Sequence, residues 1–184
     1  MQTTYRNAKH DEVPPLIDER CDTLVLGSML SPKSAEQKFY YAHPQNRFWR
    51  VLARVFDREP CFDIPSRKEL ALSNGIALWD VISSCDIIGA SDSTIKNVTY
   101  NDIAGLLSAY PNINRIFTTG KKSHDLLMRY NKNINHPIIA KAVSLPSTSP
   151  LNCGVSLTEL VFAYSVLRRR SHTSSPSALP NILT

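Results

Sequence analysis

The chain has 184 residues, of which 42% are hydrophobic and 20% are charged, and its formal net charge at pH 7 is +5. This length and composition are typical of one globular domain and exclude a fibrous repeat or a wholly disordered chain. No segment approaches the ~18 consecutive apolar residues of a membrane span, and the first residues lack an apolar signal-peptide core. We therefore expect a cytoplasmic protein with no membrane partner, and the positive charge weakly favours a polyanionic one.

Both ends of the chain are polar, contain proline and show no repeating apolar pattern. We therefore predict an N-terminal arm over residues 1–20, a single domain over 21–170 and a flexible C-terminal tail over 171–184. Between the two ends, short apolar runs alternate with longer helical patterns. This alternation favours parallel β/α units.

Four apolar runs are predicted to be strands: 22–27, 75–81, 113–119 and 136–145. Five helices are predicted: one from about Pro44, one with a capping box at Ser66 and Glu69, one over 101–110, one over 121–130, and one that begins with a capping box at Ser156 and Glu159. Together they predict an α/β fold with a four-stranded parallel sheet covered by helices on both faces. Ligands of such sheets bind beyond the carboxyl ends of the strands, so four loops are expected to carry function: 27–46, 81–97, 118–122 and 145–152.

The spacing of glycines and cysteines excludes several common sites. The six glycines are isolated along the chain, whereas a dinucleotide-binding turn needs them clustered. Gly120, Lys121 and Lys122 resemble the end of a phosphate loop, but Arg115 stands where its first glycine should be. The four cysteines match no zinc or redox spacing, so we expect reduced thiols, no metal and no cofactor.

The most informative segment is the stretch 24–49, LVLGSMLSPKSAEQKFYYAHPQNRFW. Just beyond a predicted strand it places aromatic rings beside amide side chains: Phe39, Tyr40, Tyr41, His43, Asn46, Phe48 and Trp49. A pair of exposed tyrosines beside an amide suits a planar heterocycle, because the rings stack while the amide and the backbone read the edge of the base. The alternative is that these rings pack the loop against the core, which we favour for Phe48 and Trp49.

The pattern GSM followed by YYAHPQNRFW, together with LPSTSPLN at 145–152, resembles the hypoxanthine-DNA glycosylase (DNA-deoxyinosine glycosylase) branch of the uracil-DNA glycosylase superfamily. AHPQNRFW is also similar to a block in mismatch-specific uracil-DNA glycosylases. The resemblance covers about residues 23–167 and implies a three-layer α/β/α sandwich. It further implies a monofunctional glycosylase that hydrolyses the N-glycosidic bond of a deaminated base, hypoxanthine first and uracil second, in base excision repair of DNA.

Two alternatives to this reading stay open. One is a uracil or mismatch glycosylase with little activity on hypoxanthine. The other is a nucleic-acid-binding module without catalysis, because Met29 stands where the superfamily normally has a polar residue and Leu30 replaces a common proline. We also expect a monomer.

The resemblance assigns the catalytic role to Asn46, which we expect in the first turn of a helix, near unsatisfied N–H groups. A role in capping that helix is the alternative. The resemblance places five residues in the base-binding pocket: Gly27, Ser28, Met29, Tyr40 and Tyr41.

The second motif is expected to hold DNA. Ser147, Thr148 and Ser149 would bind phosphates, and Leu151 would wedge into the base stack where the damaged base has left. Three basic residues are candidate further phosphate contacts: Arg47, Lys121 and Lys122. Asp80 and Asp92 also fall in loops at the strand ends, and a pocket role and a loop-capping role both remain open for them.

Overall fold

The computed structural model describes residues 5–10, 12–89 and 91–168. Seven strands form within these residues: β1 (Arg6–Lys9), β2 (Thr23–Gly27), β3 (Ile76–Asp80), β4 (Ile82–Ile87), β5 (Lys96–Tyr100), β6 (Arg115–Thr119) and β7 (Val143–Leu145). Six α-helices accompany them: α1 (Pro32–Glu36), α2 (Phe48–Val55), α3 (Ile64–Ser73), α4 (Ile103–Ala109), α5 (Lys121–Ile134) and α6 (Leu157–Tyr164). None of these helices is long and apolar enough to cross a bilayer. The predicted tail over 171–184 lies outside the described residues.

The central sheet has the strand order β3-β2-β6-β7, and every neighbouring pair in it is parallel. Gly27 at the end of β2 pairs with Asp80 at the end of β3, so both residues lie at the carboxyl edge of the sheet. The predicted four-stranded parallel sheet is confirmed. The fourth strand is shorter than predicted because a 3₁₀ turn at Ile139–Lys141 occupies much of the stretch 136–145.

The sheet separates two apolar cores. Val25 contributes to one core, whereas Leu24 and Leu26 contribute to the other, as the alternation of side chains along a strand requires. Helices α2, α3 and α6 cover the first core, and α4 and α5 cover the second. The result is the predicted three-layer α/β/α sandwich.

The N-terminal segment is part of the fold, so the prediction of an arm over residues 1–20 is wrong for the residues that the structure describes. Strand β1 pairs with β4, and β4 pairs with β5, in a separate antiparallel sheet. Further on, Leu16 forms a bridge to Leu78 in β3. The pairing partners lie about 80 positions away along the chain. A four-residue strand with so distant a partner leaves no local apolar pattern, which is why the sequence did not reveal it.

Two helix starts also differ from the prediction. Helix α2 begins at Phe48 and not near Pro44, because the preceding residues form turns. Helix α3 is capped by Asp63, which accepts a hydrogen bond from the Ser66 N–H, so the capping box predicted at Ser66 is wrong. The predicted capping box of Ser156 and Glu159 at α6 is confirmed.

Candidate active site

A cavity of about 960 Å³ lies at the carboxyl ends of the parallel strands. All four loops in which function was expected contribute to its lining, with Gly27 from the first, Asp92 from the second, Gly120 from the third and Ser147 from the fourth. The cavity is therefore where parallel α/β sheets place their ligands.

Tyr41 forms a rigid aromatic wall of the cavity. Its ring stacks on Phe48, with centroids 3.9 Å apart and planes 16° from parallel. The hydroxyl lies 3.2 Å from Oγ1 of Thr119. The backbone of Tyr41 has φ of +51°, a left-handed conformation that is uncommon for a bulky residue and is often found at binding sites. Because Tyr41 lines the cavity while Phe48 covers one ring face, the opposite face is available to a planar ligand.

Tyr40 does not form the exposed pair with Tyr41 that the sequence led us to expect. It is only 2% exposed, and its hydroxyl donates a hydrogen bond to the Pro14 carbonyl at 2.9 Å. Its own carbonyl accepts from Nε1 of Trp49 at 3.0 Å. Tyr40 borders the cavity but mainly belongs to the core, because its hydroxyl partner comes from the N-terminal segment that was predicted to be an arm.

Asn46 lines the cavity two residues before the start of α2, and not within the first helical turn as expected. Its Oδ1 accepts hydrogen bonds from the Phe48 N–H at 3.0 Å and from the Thr148 hydroxyl at 2.9 Å. The Phe48 N–H can only donate, so this network fixes Oδ1 toward the helix and leaves the Nδ2 amide as the free end. Asn46 is not the N-cap of α2, which is Arg47, but its Oδ1 still satisfies the first N–H of the helix while the residue lines the cavity.

The two sequence motifs are joined by hydrogen bonds. The Arg47 N–H donates to the Thr148 carbonyl at 3.0 Å, and the Arg47 guanidinium donates to the carbonyls of Ser149, Asn152 and Val155. These hydrogen bonds disagree with two of the predicted phosphate contacts. Arg47 braces the 145–152 loop and is not free for DNA, and Thr148, which is 1% exposed, uses its hydroxyl on Asn46 and not on a phosphate.

The other predicted DNA contacts stay near the surface. Leu151 is 74% exposed at the tip of the 145–152 loop. The hydroxyls of Ser147 and Ser149 accept the N–H groups of Ser149 and Leu151, which shapes the loop and leaves both O–H groups able to donate. Lys121 is exposed beside Asp125, and the half-buried Lys122 follows it at the start of α5.

Gly120 allows the 145–152 loop to approach β6. Its φ is +102°, and an added Cβ would lie 3.2 Å from Cβ of Ser147. A side chain at this position would therefore be strained and would push the loop away. The glycine that suggested the end of a phosphate loop instead serves this close contact.

The floor of the cavity is formed by residues 27–29 and by two carboxylates. The Gly27 carbonyl accepts the N–H of Val81, and the Ser28 carbonyl accepts that of Ile82 at the start of β4. Met29 is partly buried against the core that α4 and α5 cover. The Ser28 hydroxyl donates to Oδ1 of Asp92 at 2.8 Å. Burial raises the pKa of Asp92, and the nearby charge of Asp80 raises it further. The structure thus places both aspartates at the cavity.

Asp80 has a partner that the sequence did not suggest. Nε2 of His10 lies 2.9 Å from Oδ2 of Asp80, and both side chains are buried. No signal around His10 could have revealed this contact, because it depends on the antiparallel sheet that brings the N-terminal segment to the end of β3. The part of the chain that the structure describes contains no group of three His, Cys, Asp or Glu side chains able to hold a metal ion.

The three-layer sandwich with its cavity at the strand ends matches a solved structure of the uracil-DNA glycosylase class. The chain is similar to the solution NMR structure of a Methanosarcina acetivorans protein described provisionally as a uracil DNA glycosylase, with a TM-score of 0.71 and 25% identity, covering 88% of this chain and 99% of that one. No family model matches the chain.

Two curated relatives identify the branch. A hypoxanthine DNA glycosylase of Methanosarcina barkeri is 34% identical over 116 residues, which are 62% of this chain and 73% of the relative. One of Methanosarcina acetivorans is 34% identical over 112 residues, which are 60% and 70% of the two chains. The chain belongs to the hypoxanthine DNA glycosylase family. The predicted family, fold and enzyme class, a DNA glycosylase, are confirmed.

Proposed function

We propose that this chain excises hypoxanthine from DNA by hydrolysing the N-glycosidic bond of a deoxyinosine that is flipped into the cavity. The observation that carries the proposal is the Tyr41 ring, which is fixed against Phe48 and presents its other face to the cavity beside Asn46. A cavity of about 960 Å³ has room for a flipped nucleoside. The names of the two curated relatives support hypoxanthine as the base.

Asn46 is proposed to stabilise the departing base. As the glycosidic bond stretches, positive charge develops on the sugar and negative charge on the base. The Nδ2 amide of Asn46, whose Oδ1 is held by Phe48 and Thr148, can donate a hydrogen bond to that negative charge without rearranging. An amide is a poor base, so water attacks a sugar that is already largely cationic. The C1′–N bond breaks, the water oxygen bonds to C1′, and the proton that the water loses is taken up, through solvent, by the released base.

The surface around the cavity is proposed to hold the DNA. Leu151 would enter the base stack in place of the flipped base. The hydroxyls of Ser147 and Ser149 and the amines of Lys121 and Lys122 would contact phosphates. One chain carries both the cavity and this surface, so we propose that a monomer is sufficient for activity.

Uracil is the second candidate base, because the structural neighbour is described as a uracil DNA glycosylase. Duplexes that carry one hypoxanthine, one uracil or no lesion are incubated with the protein and then cleaved with alkali at abasic sites. We expect faster cleavage at hypoxanthine than at uracil and none in the control. Faster cleavage at uracil would mean that uracil, and not hypoxanthine, is the preferred base. No cleavage at either base would favour a DNA-binding module without catalysis.

A single-step hydrolysis has a chemical signature. No lysine of the two motifs matches a glycosylase nucleophile, so we expect that borohydride traps no protein on the DNA and that a chelator leaves excision unchanged. Trapped protein would show a Schiff base with the sugar and would point to Lys33 in α1 or Lys38 in the turn that follows it. Loss of activity with chelator would show a metal requirement.

A further inference from the structure

His10 and Asp80 form a buried pair, and Asp80 lines the cavity. They are 70 positions apart in the chain, and they are 5% and 4% exposed. Asp80 ends β3 beside the end of β2, whereas His10 follows the short strand β1. The Asp80 carbonyl also accepts Nδ2 of Asn101 at 2.9 Å, so the backbone that carries the carboxylate is held in place.

The two oxygens of the Asp80 carboxylate have different surroundings. Oδ2 is bonded to His10, whereas Oδ1 lies against Gly27, so close that a Cβ on that glycine would be 2.2 Å from it. Among residues 5–10, 12–89 and 91–168, no group donates a hydrogen bond to Oδ1. Since Asp80 lines the cavity, Oδ1 is an acceptor in an almost fully buried side chain that a ligand can reach. A buried carboxylate oxygen without a donor is costly, and an N–H of the ligand would offset that cost.

Other groups of the cavity floor are already engaged. The Gly27 carbonyl accepts the Val81 N–H and the Ser28 carbonyl that of Ile82, and the Ser28 hydroxyl donates to Asp92. The Tyr41 hydroxyl is held by Thr119. Burial raises the pKa of the other carboxyl, Asp92, which disfavours its charged, accepting form. Asp80 Oδ1 lies beside the Tyr41 hydroxyl at Gly27, so it is the acceptor best placed to read the edge of a base that stacks on Tyr41.

Resting on the proposed function, we propose that Oδ1 of Asp80 accepts the N1–H of hypoxanthine and that His10 positions the carboxylate for this contact. Deamination of adenine turns N1 from a lone-pair acceptor into an N–H donor, and deamination of cytosine does the same at N3 of uracil. A buried carboxylate binds the deaminated base and repels the parent base, which offers a lone pair at the same place. Asp80 thus distinguishes hypoxanthine from adenine, and uracil from cytosine.

The charge of His10 suits this role. Burial lowers the pKa of His10, but the hydrogen bond and charge of Asp80, together with backbone hydrogen bonds at His10 and Val13, raise it by more, so the net shift is upward. The upward shift favours the protonated imidazole, and while His10 carries that proton its charge offsets the charge of Asp80. The carboxylate can then accept an N–H without setting a net negative charge against the base as it departs.

The test compares two substrates in one duplex sequence: deoxyinosine and 1-methyldeoxyinosine, in which a methyl group replaces the N1 hydrogen. We expect the wild-type protein to excise hypoxanthine at least about 100-fold faster than its methylated form, because the acceptor loses its donor and meets a methyl group. Asp80→Ala should slow excision of hypoxanthine about 10- to 100-fold and reduce the ratio between the two substrates at least about tenfold. If Asp80→Ala slowed excision of hypoxanthine and of its methylated form by the same factor, the proposal would be overturned.

Two further sets of variants keep the test decisive if Asp80→Ala does not fold. Gly27→Ala retains both members of the pair but displaces Oδ1, and it should also reduce the ratio. His10→Gln keeps an N–H donor near Nε2 and should retain the ratio, whereas His10→Leu should lose it. Equal ratios in the two His10 variants would mean that His10 has only a structural role. If the wild-type protein fails to excise deoxyinosine, the proposed function itself fails, whereas excision with an unchanged ratio in the variants refutes only the role of Asp80.

Discussion

Replacing Asn46 by alanine removes the acceptor that joins the start of α2 to the 145–152 loop. The first N–H of the helix, that of Phe48, loses its acceptor, which costs about 1 kcal/mol of unfolding free energy. The Thr148 hydroxyl, buried beside it, loses its acceptor, at a further cost of about 1 to 2 kcal/mol. For a chain of 184 residues, a loss of about 2 to 3 kcal/mol lowers the melting temperature by roughly 5 to 10 °C.

The catalytic effect of this change should exceed its effect on stability. Loss of one positioned donor to a developing negative charge slows an enzyme about 100- to 1000-fold. Because the proposed phosphate contacts remain, the affinity for uncleaved DNA should change little. Asn46→Asp is the matched control, since its carboxylate still accepts from Phe48 and Thr148 and should keep the melting temperature near that of the wild type. It lacks the Nδ2 donor, so we expect a similar loss of excision.

The assay is single-turnover cleavage of a deoxyinosine duplex at a temperature at which all three proteins are folded. Excision by Asn46→Ala within threefold of the wild type would refute the catalytic role. Faster excision by Asn46→Asp would show that residue 46 activates water and does not stabilise the departing base. An unchanged melting temperature for Asn46→Ala would contradict the energetic role of its two hydrogen bonds.

Three other changes have distinct expected outcomes. Tyr41→Ala should lower kcat/KM for hypoxanthine excision about 10- to 100-fold, because the stacking ring is lost, whereas Tyr41→Phe should lower it less than about tenfold. Equal decreases in the two variants would assign the effect to the hydroxyl. Leu151→Ala should slow excision from duplex DNA about tenfold or more and from single strands much less, and an equal defect on both would mean that Leu151 only supports its loop. Arg47→Lys should lower the melting temperature without changing the salt dependence of DNA binding, because the Arg47 guanidinium bonds to backbone carbonyls. If the slope of the logarithm of the binding constant against the logarithm of the salt concentration fell by about one, Arg47 would contact a phosphate.

The central sheet was predictable from sequence because its strands are buried on both faces. Such strands are continuous apolar runs, as in the stretch TLVLG of β2, and the helices between them supply the crossovers that parallel pairing needs. The antiparallel sheet was missed because its strands are short and mostly polar, as in RNAK of β1. Their stability comes from distant pairing, which a local pattern does not encode.

The candidate site was predictable only in part for the same reason. Asn46 and Tyr41 were found because they lie within one motif, and the structure brings both to the cavity. The sequence did not reveal that the Thr148 hydroxyl donates to Asn46 or that the Tyr40 hydroxyl donates to the Pro14 carbonyl. Both hydrogen bonds join segments that are far apart in the chain. It also left Asp80 undecided, since its partner His10 lies in a segment that looked like an arm.

The most direct test of the proposed excision measures both products of one reaction. A duplex with a single deoxyinosine is incubated with the protein, free hypoxanthine is quantified by mass spectrometry, and abasic sites are counted as strand breaks before and after alkali. We expect equal amounts of free hypoxanthine and of abasic sites, with breaks only after alkali. Release of deoxyinosine, breaks before alkali, or no free base would contradict the proposal that this chain excises hypoxanthine and leaves the strand intact.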